Sequence, residues 1–374
     1  MSEYQYYEFR TIDRPLTAEE QQAVGKLSSR VDLSPTHAIF VYNYSDLPAR
    51  AEALLAQYFD AMLYLANWGS CQLMFRFPKA FIDFAQVQPY FRPDIIEEFM
   101  TLTDKGEYVV LDIHWYEEAP GWGWIEGEGW LPRLIGLRDD ILRGDYRLLY
   151  LAWLKAVTWE EEMLPEVAEP PVPAGLRQLS PGLRTFIELF ELDESLVAAA
   201  AEASGHPESM SEAQLQQAIG QLSPESRDAW LLRLARGEPL LSNTFSRELF
   251  KLIDRPESVP PSRRTIGDLF ASAERIEKAA RDKHLAEAHA RHLKKMETLA
   301  AQETQLWQAV IDLIERKTGK SYDQAVQHLS DLQALAKHQG EQATFQARLN
   351  TICRDYSNLS GLRRRLKEAR LYKL

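Results

Sequence analysis

Between residues 265 and 317 the chain has no proline, and its one glycine there, Gly267, stands near the start. So long a run without a breaker predicts a single long helix. Apolar residues recur at helical spacing at both ends, as Leu269, Phe270 and Ile276 and then as Leu306, Trp307, Val310, Leu313 and Ile314. Between Glu277 and His292 they give way mostly to Ala, Lys, Arg, Glu and His. That stretch is expected to be a solvated helix, held by propensity and by charges four residues apart rather than by packing.

Charge divides the chain near the same place. Residues 261–374 hold 21 Lys+Arg against 14 Asp+Glu, and residues 1–260 hold 22 against 41. A balance of +7 against −19 points to two bodies that meet different partners or dock on each other. A chain of 374 residues is long enough for two or three cores. It has no apolar stretch of about 18 residues, so no membrane span or membrane partner is expected. The opening residues lack the basic start and apolar core of a signal peptide. The two cysteines, Cys71 and Cys353, lie in segments of different type. A disulfide framework is therefore not expected, and the chain reads as cytoplasmic.

The first 160 residues alternate strand and helix signals. Residues 4–12 are aromatic and extended, Thr17 with Glu20 forms a capping-box pattern, and 38–44 is apolar on both faces. Leu54, Leu55, Tyr58, Phe59, Met62 and Leu65 follow at helical spacing up to Gly69. Strands are expected from Cys71 to Phe77 and over Val109, Leu111, Ile113 and Trp115, with a short helix over 95–102 between them. An acidic, proline-rich stretch (Glu160 to Pro173) and a second at 255–261 read as linkers. The fold expected is α+β, a mixed sheet with helix crossovers followed by a small all-α unit and a long helix with a helical hairpin. The domains expected are 1–165, 176–255 and 262–374.

No catalytic or cofactor motif is complete, so neither catalysis nor a cofactor is expected. Gly319-Lys320-Ser321 has the end of a phosphate-binding loop, but Ile314 stands where that loop needs glycine. Gly319 is read as a helix stop and Lys320 as surface. His284, His289 and His292 lack the four-residue spacing of a helical metal motif and read as a solvated face. Cys71, with His37 and His114 on or beside neighbouring strands, reads as core rather than as a Cys–His nucleophile.

Two patches stand out as partner-binding candidates. The first is the Trp-, Glu- and Gly-rich segment with Trp122, Trp124, Glu126 and Glu128. Rings beside carboxylates suit a basic peptide, and paired carboxylates leave open a hydrolase. The second is the basic run Arg363, Arg364, Arg365, Lys367 and Arg370, on a short helix whose seam is Leu362, Leu366 and Leu371. It suits an acidic protein surface, or alternatively nucleic-acid phosphates, although few aromatics are interleaved.

The opening Glu3-Tyr4-Gln5-Tyr6-Tyr7-Glu8-Phe9, with Asp13-Arg14-Pro15-Leu16-Thr17, Tyr58-Phe59-Asp60 and Ala66-Asn67-Trp68-Gly69, resembles an uncharacterised bacterial protein family. The resemblance covers about the first 160 residues and implies no particular activity. Tyr322-Asp323-Gln324-Ala325-Val326 and Phe345-Gln346-Ala347-Arg348-Leu349 resemble one tetratricopeptide-type helix pair, which implies protein–protein contact. The function expected is therefore a non-enzymatic adaptor or scaffold of a bacterial multi-protein system. A nucleic-acid-associated accessory protein is the alternative, and a hydrolase the second.

Overall fold

The computed structural model describes residues 4–91, 99–117, 126–159, 165–206, 212–238, 240–252 and 264–371. Contacts divide the chain into two units, Met1–Glu277 and Lys278–Leu374. The layout is α+β, with the sheet in the first unit.

The strands are β1 (Gln5–Arg10), β2 (Asp32–Leu33), β3 (His37–Tyr42), β4 (Ala61–Ala66), β5 (Ser70–Pro78), β6 (Met100–Lys105) and β7 (Tyr108–Tyr116). They form one seven-stranded sheet in the order β2-β3-β1-β4-β5-β7-β6. Every pairing is antiparallel, where the expected helix crossovers had implied a mixed sheet. The difference arises at Ala61–Ala66. Helix α1 spans Ala18–Gly25 and α2 spans Ala51–Tyr58, after which Phe59 is extended (φ −126°, ψ 169°) and β4 begins. Ala61, Leu63 and Leu65 enter the core on one face of the sheet, and Met62 and Tyr64 join that on the other. A strand covered on both faces is apolar at nearly every position, and such a run also satisfies helical spacing.

Residues 67–69 turn β4 into β5. Gly69 has φ 98°, and a Cβ there would lie 1.7 Å from the Glu117 carbonyl oxygen, so the turn requires glycine. The helix expected over 95–102 falls partly outside the described residues, and Met100 to Leu102 belong to β6.

Helices α1 and α2 cover the face that carries Phe9, Phe40, Met62 and Met74. The capping box of α1 forms as expected, and Arg14 grips the Glu20 carboxylate at 2.6 and 2.8 Å. The other face packs against α3 (Phe84–Val87), α4 (Trp130–Leu134), α5 (Gly136–Leu142), α6 (Arg147–Ala156), α7 (Pro181–Leu189) and α8 (Glu194–Ala203). Three further helices follow, α9 (Glu212–Gln221), α10 (Pro224–Ala235) and α11 (Leu241–Lys251), before the long α12 (Ile266–Glu315). Leu183, Phe186 and Leu196, together with Ile266, Leu269 and Ala273 of α12, share one apolar cluster with the sheet. That cluster therefore joins segments on both sides of the two proline-rich stretches.

The foot of α12 is stapled. Ile266 N–H donates to the Val167 carbonyl and Gly267 N–H to that of Pro165, each at 2.9 Å. Glu169 N–H donates to the Arg264 carbonyl at 3.0 Å. The buried Glu169 carboxylate receives Arg264 at 2.6 and 2.8 Å and also the Tyr150 hydroxyl.

Where the second unit begins, every residue from 277 to 292 is exposed on an unbroken helix, as expected from its composition. Past it, α12 packs with α13 (Gly319–Gln339), α14 (Gln342–Asp355) and α15 (Ser360–Glu368) around Trp307, Ile314, Leu329, Leu349 and Leu366. Gly319 is not the helix stop. Lys317 takes that role in the left-handed region (φ 53°), Thr318 caps α13 through the Ser321 N–H, and Gly319 is the first residue of the new helix.

Candidate interaction surface

Helix α15 is amphipathic at four-residue spacing. Leu362 and Leu366 are 1% exposed, and Leu371 joins them beneath the helix. The helix ends in a Schellman turn, with Leu371 N–H on the Leu366 carbonyl and Arg370 N–H on that of Lys367, both at 3.0 Å. Arg370 occupies the left-handed position of that turn, φ 54°, where glycine is usual. Burial of the leucine seam leaves Arg363, Arg364, Lys367 and Arg370 exposed.

Arg365 behaves differently from its neighbours. It is half-turned into the bundle, donating to Asp323 of α13 and, at 3.1 Å, to the Gly361 carbonyl. It therefore ties α15 down and does not belong to the open basic face. Arg364 meets Glu368 at 3.6 Å, an exposed pair worth little.

The second candidate patch is only partly within reach. Trp122 and Trp124 lie outside the described residues. Glu126 and Glu128 are exposed, and Gly127 between them packs on the Tyr6 ring, where a Cβ would come within 2.1 Å. Burial pushes the Tyr4 phenol up, and the charges of Glu126 and Glu128 add to that shift. The Tyr6 phenol is also pushed well up, by burial first and then by Glu8, whose carboxylate accepts its hydroxyl at 2.9 Å. Trp130 donates to the Glu126 carbonyl at 3.1 Å, and Arg133 lies over the Trp130 ring at 4.4 Å. Among the described residues of this segment, Gly127 packs on the sheet through Tyr6 and Glu126 and Glu128 stay outward.

Sheet register separates the possible Cys–His pair. Cys71 faces Trp115 across β5 and β7, whereas His114 faces Gln72, so the thiol and imidazole lie on opposite faces of the sheet. Burial pushes the Cys71 thiol far up, away from the nucleophilic thiolate. His37 lies on β3, three strands away. Among the described residues no group of three His, Cys, Asp or Glu side chains could hold a metal ion. No helix there is long and apolar enough to cross a membrane.

No family model, curated protein or solved structure matches this chain. Functional inference therefore rests on the surfaces alone. The features that sequence reasoning missed are the inward role of Arg365 and an exposed leucine face on α10. The first depends on a contact 42 residues away in sequence. The second was hidden because Trp230, Leu231 and Leu234 recur at helical spacing and read as the buried stripe of that helix, whereas both leucines are exposed.

Proposed function

We propose that the chain is an interaction adaptor whose basic C-terminal helix binds an acidic protein surface. One observation carries this reading. Helix α15 spends its leucines on the bundle and turns Arg363, Arg364 and Lys367 outward, and among the described residues only Glu368 answers them. A row of cations on a packed helix presents charge at a fixed position, which steers and orients an oppositely charged partner. The exposed stretch of α12 from 277 to 292 supports the same reading, because a helix polar all round suits a spacer between bodies.

The test is the full-length variant R363E/R364E/K367E. It is expected to lose capture of the native acidic partner while its circular dichroism and melting stay unchanged, since none of the three side chains is buried. Capture in the wild type should weaken as salt rises. The alternative partner is nucleic acid, and a generic oligonucleotide separates the two. Tight binding that falls with a log–log salt slope of about −0.7 to −0.9 per phosphate contact, and that the variant loses, would replace the protein partner with nucleic acid.

A further inference from the structure

We infer that the open part of the sheet face carrying Asp112 is a docking shelf for an extended peptide, which places the ammonium of one lysine on the Asp112 carboxylate. The inference is independent of the basic helix and goes beyond the adaptor reading. Helix α2 lies over one part of this face, where Phe9, Phe40, Met62 and Met74 are buried. Strand register carries the same face past the helix. Tyr64 stands opposite Gln72, Gln72 opposite His114 and Ser70 opposite Tyr116, while Asp112 lies two residues before His114 on β7. These side chains share one face because alternate residues of a strand point the same way. Asp112, Gln72 and Tyr64 are partly exposed, and Trp68 and Tyr116 are 37% and 45% exposed. Trp68 is fixed at the end of the shelf by its indole N–H, which donates to Ser70 Oγ at 3.1 Å.

Charge selects the occupant. Among the described residues no cation meets the Asp112 carboxylate, whose hydrogen-bond partner is the neutral Gln72 amide. The titratable groups that face it are Glu52 of α2, which repels it, and His114 beside it on β7. Lys105 of β6 is taken by Glu52 at 2.9 Å. Desolvation lowers the His114 imidazole, which is therefore neutral above about pH 7. Residues 1–260 as a whole carry −19, so the surroundings draw in a cationic partner. Geometry then selects the cation. The Gln72 nitrogen stands 2.9 Å from both Asp112 oxygens and fills the front of the carboxylate. A guanidinium fork needs that front to reach both oxygens at once, whereas a compact ammonium needs only one outer lone pair. Tyr116 lies four residues beyond Asp112, about 13 Å along the strand. A small free amine does not reach from the carboxylate to the two exposed rings. An extended peptide of five residues does, and an aromatic side chain at its far end meets them ring to ring.

Isothermal titration of the full chain with an end-blocked pentapeptide, lysine first and tyrosine fifth, reads the outcome. At pH 8 the peptide should bind with a Kd of about 1 mM or tighter, and about tenfold or more weakly to Asp112→Asn. Asparagine relieves the fold of a half-buried charge, so unfolding does not explain a loss of binding in that variant. Asp228→Asn removes one exposed charge elsewhere in the same unit and should bind as the wild type does. Tyr116→Ala should weaken the tyrosine peptide and leave a peptide with alanine in fifth place unchanged. At pH 5 a carboxyl pushed up to about 6 is mostly protonated, so wild-type binding should be about tenfold weaker than at pH 8. No heat at millimolar peptide, equal binding by Asp112→Asn, or no loss at pH 5 would overturn the inference. An arginine peptide that binds as tightly would overturn the choice of ammonium, and 1,5-diaminopentane that binds as tightly would overturn the choice of a peptide.

Discussion

At the scale of single residues, the first unit depends on buried charges that are matched rather than avoided. Arg138 is fully buried, grips Asp13 at 2.7 and 2.8 Å, and lies 3.8 Å from Asp60, which also accepts Arg76 at 2.7 Å. Burial by itself would raise the Asp60 carboxyl. Arg138, the N–H groups of Ile12 and Asp13, and Arg76 together hold it below its ordinary value. The Glu169–Arg264 pair at the foot of α12 is of the same kind. Arg264→Ala would strand a buried carboxylate, and we expect a loss of about 3–5 kcal/mol in the unfolding transition of the first unit. Asp112 shows the opposite sign. Burial pushes its carboxyl up to about 6, against the Gln72 amide that donates to both oxygens at 2.9 Å. An unfolded aspartate titrates near about 3.9, so the fold keeps a proton that the open chain has released. Stability should fall as pH rises from about 4 through about 6, and the full penalty should stand above that range. Asp112→Asn is therefore expected to gain about 1–3 kcal/mol in urea unfolding at pH 8, and the gain should vanish near pH 4.

At the scale of elements, α12 contains two kinds of helix in one. Its first turns bury Ile266, Leu269 and Ala273, and its later turns bury Met296, Leu299, Trp307 and Val310. Between them intrinsic propensity and side-chain charge hold the helix, and the tertiary contacts are marginal ones, an exposed Arg275–Glu202 pair at 2.8 Å and an edge-on meeting of His292 with His338. His289→Ala with His292→Ala should thus change stability by no more than about 0.5 kcal/mol, as at other surface positions. Ala286→Gly should cost about 1 kcal/mol of local stability, read as faster amide hydrogen exchange confined to the neighbouring turns. A large loss from the histidine substitutions would mean that packing or a bound ion holds this stretch after all. The β4–β5 turn responds in the opposite way. Gly69→Ala drives a methyl group into the Glu117 carbonyl, so a small substitution there should damage the sheet severely.

At the scale of the whole molecule, the seam between units falls within a continuous helix at Glu277 and Lys278. The proline-rich stretches are less separable than their composition implies. A fragment ending at Glu277 keeps the sheet, α7, α8 and the stapled foot of α12, and is expected to fold and melt cooperatively. A fragment ending at residue 165 bares the apolar surface that meets Leu183, Phe186, Phe190, Leu196, Ile266 and Leu269. It should aggregate or bind a hydrophobic dye, because so broad an apolar face is not left open to water. Folding of that shorter fragment as a monomer would show that α7 and α8 are accessory.

Sequence by itself determined what local chemistry controls. The capping box at Thr17 and Glu20, the length and bare middle of α12, and the leucine seam of α15 follow from propensity and periodicity. The α+β class follows as well, because strand and helix signals fall in separate runs. Tertiary structure decided wherever two local patterns fitted the same residues. Ala61–Ala66 is apolar enough for a helix, and only its neighbours β1 and β5, pairing along both edges, make it a strand. The basic run resembled one patch until Asp323 drew Arg365 inward. Trp230, Leu231 and Leu234 have the pattern of a core stripe, yet α10 leaves both leucines in water. Hydrophobic spacing shows that a face can be buried, whereas the packing of the rest of the chain decides whether that face is covered.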